Sequence, residues 1–420
     1  MSAEDYDVVI VGGGLSGLCT AATLADADLR VVLCEKGAIE GGKAITEVDQ
    51  GFQINIGHHG LLRTGPAVAI LDRLGLKVAS GVQKPGGYTV VDDRRRRFPM
   101  SLGSALSSGA LKAGDRWAVC KALSTVRMSR PRAIDSRTAT EWIGFLSPRP
   151  TVQKWLHALL RWATYTDNPD ELSAGLAAEQ LQRLLRGGLL HVEQGWEGLT
   201  TALRGRARTG GVELRRNTGV SAITAGESGL EITLEKGTVI RSSFVVLAVD
   251  PTVAASLISS SPVDTADWAG PAVRVACLDV GLSGLPDPPV TFGLALDGPY
   301  MFNVVSHYAG LAPAGGTLVS AIKYLGTAAA NAATDRAELE AFLESLQRGW
   351  AAQELTSRYL PEMTVTRSRY GPGRQRPDSQ VADMPGLYLA GDWVGPTGWL
   401  ADAALSSAHD AARQILAQSR

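Results

Sequence analysis

The sequence predicts an α/β fold in which a parallel-sheet, nucleotide-binding domain is woven together with a second, α+β domain. Three stretches carry that prediction: a strand–glycine turn–helix–strand unit over residues 8–36, short strands in the middle of the chain that feed a buried strand at 244–249, and a closing strand–turn–helix over 387–418. Strands that alternate with helices point to a parallel sheet covered on both faces. The three stretches lie far apart, so neither domain is one continuous run.

The elements follow in order. VVIV reads as a buried strand, LSGLCTAATLADAD as a helix of small residues, and LRVVLCEK as a second strand ending near Glu35. An irregular region around GGKAITEVDQGFQINIGHHG comes next. Helical signals dominate from about 61 to 185, in PAVAILDRLGL, in Leu111 to Met128 and around Trp142, Trp155 and Trp162. Within that region Arg94–Arg97, between GYTVVDD and FPMSLGSAL, reads as the polar tip of a hairpin, with docking to anionic lipid or an acidic substrate as the alternative. Turns at Gly219, Glu227-Ser228-Gly229 and Lys236-Gly237 then punctuate an antiparallel meander ending in FVVLAV. AVRVACLDVGL and TLVSAIKYLG read as strands, about Thr334 to Gln347 as a charged helix, GLYLAGDWVG as strand and turn, and ADAALSSAHDAARQILAQ as the closing helix.

The chain has 420 residues, enough for two domains, with 45% hydrophobic and 20% charged residues and a net charge of −1. That balance gives no electrostatic reason to expect nucleic acid, and peripheral membrane contact is not favoured. Cys19, Cys34, Cys120 and Cys277 are far apart and form no C-x-x-C pair, so a reducing, cytoplasmic setting without a metal framework is expected. The acidic start MSAEDYD does not resemble a signal peptide, and no apolar run reaches the length of a spanning helix.

Gly12, Gly14 and Gly17 satisfy G-x-G-x-x-G between a strand and a helix, the arrangement of a Rossmann-like unit. Its glycines serve a sharp turn, close approach to a pyrophosphate and tight helix–strand packing. Leu15 and Ser16 open the helix and Glu35, 23 residues after Gly12 and next to Lys36, is placed to accept ribose hydroxyls. This unit alone does not separate NAD from FAD.

Four further segments do, and through them the chain resembles the flavoprotein amine oxidase and phytoene desaturase superfamily. Gly41-Gly42-Lys43-Ala44 is similar to that family's GGR-A segment, with lysine in place of arginine, and Gly51-Phe52 through Gly57-His58-His59 is similar to the segment that leads to the isoalloxazine. Asn217 to Ile223 resembles the stretch whose valine, here Val220, meets the adenine, and Leu389-Ala390-Gly391-Asp392-Trp393 resembles the C-terminal A-G-D motif. The resemblance implies a glutathione-reductase-related FAD domain from residues 1–82, 190–262 and 376–420, and a substrate domain from 83–189 and 263–375. It implies non-covalent FAD, with Gly12, Gly14, Leu15, Ser16, Gly17, Glu35, Lys36, Gly42, Lys43, Gly57, His58, Val220, Gly391, Asp392, Trp399 and Leu400 around it.

His58, His59, Tyr165 and Lys323 are the candidates for chemistry over the flavin, with Arg274 a rival to Lys323. Lys323 is chosen because amine oxidases often carry a lysine near the flavin. Each histidine has a purely structural alternative, and for Trp393 core packing is the expected role. The expected reaction is hydride removal from a small or medium-sized, largely apolar organic substrate by a desaturase or dehydrogenase, with oxygen or another acceptor taking the electrons. The alternatives are an amine oxidase producing imine and hydrogen peroxide, a flavin-dependent isomerase, and a non-catalytic flavin-binding protein.

Overall fold

The computed structural model describes residues 4–91, 94–227, 229–368 and 370–419. Its first sheet joins distant parts of the chain. Glu4–Val11 runs parallel to Val31–Cys34 on one side and to Val239–Leu247 on the other, and Glu213–Arg215 and Leu387–Leu389 extend the parallel set. Val8 to Ile10 and Val31 to Cys34 are continuously buried, as strands covered on both faces must be. The small residues of the helix Leu15–Leu24 let it pack closely against Ala401–Gln418 and Trp196–Thr209 on one face. On the other face lie Trp268, Trp393 and the hairpin Val220–Gly226/Gly229–Leu234. Val239–Leu247 both closes that meander and enters the parallel set, so the expected final strand is one longer element.

The second sheet runs in the order Glu354–Thr366, Val273–Leu282, Thr317–Tyr324, Tyr300–Val304, Phe292–Leu294, Tyr88–Val91, Arg94–Arg97. Its pairs are antiparallel except at Phe292–Leu294 beside Tyr88–Val91. Alternation along a strand divides its side chains between two cores. Val275 and Cys277 face the helices Ala113–Met128, Ala139–Leu146, Pro150–Thr164 and Ala174–Gly187, whereas Ala276 and Leu278 face Ala332–Leu346.

The region from 61 to 185 is less helical than its sequence suggests. Leu61–Leu62 and Ser80–Gln83 pair with Leu189–Val192 in a small sheet, and Tyr88–Val91 and Arg94–Arg97 form the hairpin that ends the second sheet. Arg94–Arg97 is therefore a strand, not a turn; an edge strand accepts consecutive charges because one side of its ladder is open. Asp92 and Asp93, and Ser228, on which one expected meander turn falls, lie outside the described residues.

Candidate active site

The glycine turn is dictated by contact distances. Gly12 has φ +100°, and a Cβ there would stand 2.7 Å from the carbonyl oxygen of Ala248. A Cβ on Gly17 would stand 1.9 Å from the carbonyl oxygen of Gly12. The second glycine segment braces the first, since Gly41 N donates to Gly13 O at 2.8 Å. Both carboxylate oxygens of Glu35 accept backbone N–H groups, from Gly13 at 2.7 Å and Gly37 at 2.6 Å, which holds the acid beside the turn.

A cavity of about 400 Å³ opens here, lined by Gly12 to Ser16, Glu35, Gly41 to Ala44, His58 to Gly60, Tyr165, Ala248 to Asp250, Met363, Ala390 to Trp393, and Leu400 and Ala401, among others. Two helices begin at its wall: Leu15–Leu24 after Gly14 and Ala401–Gln418 after Leu400, which has φ +51°. Neither start is capped by a side chain. Apart from Asp402 N, which donates to Trp399 O at 3.1 Å, their first N–H groups and partial positive charge are therefore available to an anion. Lys43 adds a cation and its Nζ donates to Val365 O at 3.0 Å. Burial pushes the carboxyl of Asp392 up, while nearby Lys43 and a hydrogen bond with Thr366 act the other way. Open glycine surface, two uncapped helix starts, a lysine and the carboxylates of Glu35, Asp250 and Asp392 suit a dinucleotide with anionic phosphates and several hydroxyls.

At the other end of the cavity, Tyr165 and His58 grip each other. His58 Nδ1 lies 2.8 Å from the Tyr165 hydroxyl, which donates to His58 O at 3.0 Å. Asn303 Nδ2 approaches His58 Nε2 at 3.0 Å and donates to Gln83 Oε1 at 2.9 Å, and His191 Nε2 meets the same Gln83 oxygen at 2.7 Å. With Asn303 as donor, Nε2 of His58 accepts and Nδ1 carries the proton toward Tyr165. His59 Nδ1 donates to Gly57 O at 2.8 Å and its ring packs on Trp196. Burial holds His58 well below the usual imidazole range and brings His59 and His191 down to about 4. The polar groups at this end are accordingly neutral at neutral pH.

Several residues singled out from sequence lie elsewhere. Lys323 points to the opposite side of its sheet, where its ammonium meets Asp335 at 2.6 Å and also Glu338. Its neighbour Tyr324 takes the face toward the helices. We expect Lys323→Met to leave substrate-driven flavin reduction within about twofold of wild type in stopped flow, since the side chain lies outside the site. Arg274 is likewise engaged, with Glu362 at 3.1 Å and the carbonyls of Gly326 and Ala328. Lys36 is exposed and paired with Glu235 at 2.7 Å, and Val220 begins the hairpin strand; neither lines the cavity. Trp399 donates from Nε1 to Thr164 O at 3.0 Å and faces a neighbouring cleft, leaving Leu400 on the cavity wall. Gly17 and Gly57 also lie off the wall, Gly17 as a packing glycine and Gly57 at φ +81° against Met363. Trp393 is in the core, with its Nε1 donating to Val249 O at 3.0 Å, and it also reaches the cavity edge.

Gln83, His191, Asn303, Met363 and the segment Ala248-Val249-Asp250 escaped the sequence reading. Only the last carried a local signal, because a loop after a buried parallel strand opens on the ligand side of such a sheet.

The family description "flavin containing amine oxidoreductase" matches residues 15–416. A structurally known oxidoreductase from Methanosarcina mazei is similar with a TM-score of 0.77 and 20% identity, over 96% of this chain and 99% of that one. A putrescine oxidase variant is similar with a TM-score of 0.79 and 16% identity, over 99% of this chain and 100% of that one. Both likenesses speak to the fold. Polyamine oxidase 2 of Arabidopsis thaliana is 22% identical over 266 residues, 59% of this chain and 52% of that protein, so the chain spans about half the length of that relative. With a family match across nearly all of its length and a cavity suited to FAD, the chain belongs to the flavin containing amine oxidoreductases.

Proposed function

We propose that the protein is an FAD-dependent oxidoreductase that removes hydride from a carbon centre of a largely apolar organic substrate, in the manner of a desaturase or dehydrogenase. The observation that carries this reading is the character of the cavity around Tyr165. Ile56, Met363, Val365 and Leu400 line it with Tyr165 and two neutral histidines, and the carboxylates on the wall, Glu35, Asp250 and Asp392, belong to the glycine-turn and C-terminal motif regions. Among the described residues lining this cavity none sets a carboxylate beside Tyr165 for a substrate ammonium; Asp167, paired with Arg161, and Glu171 line a separate cleft that Tyr165 also borders.

In this reading residues 1–82, 190–262 and 376–420 hold the cofactor and the remainder shapes the substrate side. The N–H groups after Gly14 and the Gly42–Lys43 turn would hold the diphosphate, Glu35 the adenosine ribose, Asp392 the ribityl region and the start of the final helix the isoalloxazine end. Bound there, FAD supplies the hydride acceptor. Tyr165 orients the substrate and keeps a proton shared with His58 at its Oη. We expect Tyr165→Phe to retain FAD but to lower the rate of flavin reduction about 10- to 100-fold, measured anaerobically by stopped flow. Because His59 and His191 stay neutral down to about pH 4, kcat/KM should show no histidine inflection between about pH 5.5 and 8.

Similarity to a polyamine oxidase and a putrescine oxidase favours a second reading, amine oxidation with oxygen as acceptor. One measurement separates them: the holoprotein is photoreduced without oxygen and then mixed with air. Slow reoxidation, together with flavin reduction by an apolar alkene or enone and not by di- or polyamines, is the expected outcome. Fast reoxidation with peroxide formation and reduction by amines would replace the first reading by the second.

A further inference from the structure

Between Arg94 and Arg132 the sequence carries ten basic side chains and one acidic one, Asp115, in a chain whose overall charge is −1. The fold gathers this segment onto one side. Ser108 Oγ donates to Arg97 O at 3.1 Å and Arg116 Nη1 donates to Leu106 O at 3.3 Å, so the strand Arg94–Arg97 and the helices Leu102–Ser107 and Ala113–Met128 lie together. Asp115 is already paired with Arg149 at 3.1 Å. Arg94, Lys112, Lys121 and Arg127 are exposed to solvent.

Apolar side chains stand out among these cations. Trp117 is 71% exposed, Met128 81% and Leu106 58%. Trp117, Lys121 and Met128 follow at intervals of four and seven residues and share one helix face, away from the buried Val119, Leu123 and Val126. Leu102 and Leu106, four apart on the adjoining helix, are also exposed. Isolated exposed apolar residues are ordinary, but a cluster framed by arginine and lysine is the composition of an interfacial surface.

We infer that this face docks on an anionic lipid bilayer. The exposed Arg94, Lys112, Lys121 and Arg127 meet the headgroup phosphates, Trp117 sits at headgroup level, and Leu102, Leu106 and Met128 reach the acyl boundary. Nucleic acid would answer the charge but leave the apolar side chains in water. A second copy related by a twofold axis would set cations against cations. Among the described residues no helix is long and apolar enough to cross a membrane, so the contact is peripheral. The inference does not depend on the reaction.

The test uses the flavin-loaded protein sedimented with phosphatidylcholine vesicles, with and without about one-third phosphatidylglycerol. Binding only to the anionic vesicles, weakened by high salt, is expected. Lys121→Ala/Arg127→Ala should weaken it about thirtyfold, and Trp117→Ala should abolish the quenching of protein fluorescence by brominated lipid. Both variants should keep the wild-type flavin spectrum and melting curve, because these side chains project outward. No binding to anionic vesicles at low salt would overturn the inference, as would equal binding to neutral ones. Binding that a DNA oligonucleotide abolishes, without any Trp117-dependent quenching, would assign the face to nucleic acid instead.

Discussion

Gly17→Ala is expected to give a protein that cannot retain FAD and that is less stable by about 2–3 kcal/mol. The new Cβ would lie 1.9 Å from the carbonyl oxygen of Gly12 and 3.3 Å from the Cβ of Ala248. Neither neighbour can swing aside, because Gly12 is fixed by its N–H bond to Cys34 O at 2.9 Å and Ala248 by its bond to Val11 O at 2.8 Å. The helix must shift away from the sheet, carrying its N–H groups from the diphosphate position. Gel filtration of flavin-loaded protein and titration of apoprotein with FAD read the outcome, with affinity expected to fall more than about a hundredfold. Gly14→Ala supplies the control: nothing lies within 4 Å of a Cβ there, so it should melt like wild type as apoprotein while still binding FAD less well. Equal FAD retention by Gly17→Ala and wild type would contradict the role of the turn.

Glu40→Ala is expected to cost about 3–5 kcal/mol, lowering the melting temperature of the apoprotein by roughly 4–6 °C. Glu40 is fully buried beneath the glycine turn. A Cβ on Gly13 would meet its side chain at 3.1 Å, so the turn rests directly on it. Arg216 grips both carboxylate oxygens at 2.8 Å and Arg204 adds a third contact at 3.2 Å. Burial alone would raise its pKa, but the two guanidiniums and a backbone hydrogen bond more than offset that and bring it down to about 2. A carboxyl held below its unfolded value stabilises the fold above about pH 4.5, and that contribution is lost as pH falls through about 2. It amounts to about 3 kcal/mol. Wild type should lose this increment in acid melts and Glu40→Ala should not; identical acid profiles would mean that the two arginines do not hold the carboxylate.

What was legible from the sequence was chiefly what is decided locally. Gly12 and Gly17 are required by contacts within a strand, a turn and a helix, and their spacing records that requirement. Glu35 follows from the end of the next strand. His58, His59 and Tyr165 reached the same cavity because each lies near a recognisable turn or helix end. Lys323 did not, since adjacent residues of a strand face opposite ways and the alternation does not say which face meets the cavity. The strand Glu354–Thr366 escaped because it is an edge strand, mostly half-buried and interrupted by Pro361, and so lacks an apolar alternation. Glu40, Gln83 and Asn303 are polar residues whose partners come from remote parts of the chain, and no local pattern marks them.

The dispersed origin of the cavity walls also bears on how the protein is made. Residues 12–16 and 41–44 leave the ribosome before 248–250, and those before 390–404. A nascent chain that has not reached Leu387–Leu389 lacks one parallel strand of the first sheet and, beyond it, the second helix start. A flavin that touches all of these walls can settle only after the last of them has emerged, and it would then act as a clasp on segments that have already had to find one another. By mass action, cellular FAD supply then sets how much of the chain stays closed, and the yield of native protein should rise with flavin even where its activity is never called upon.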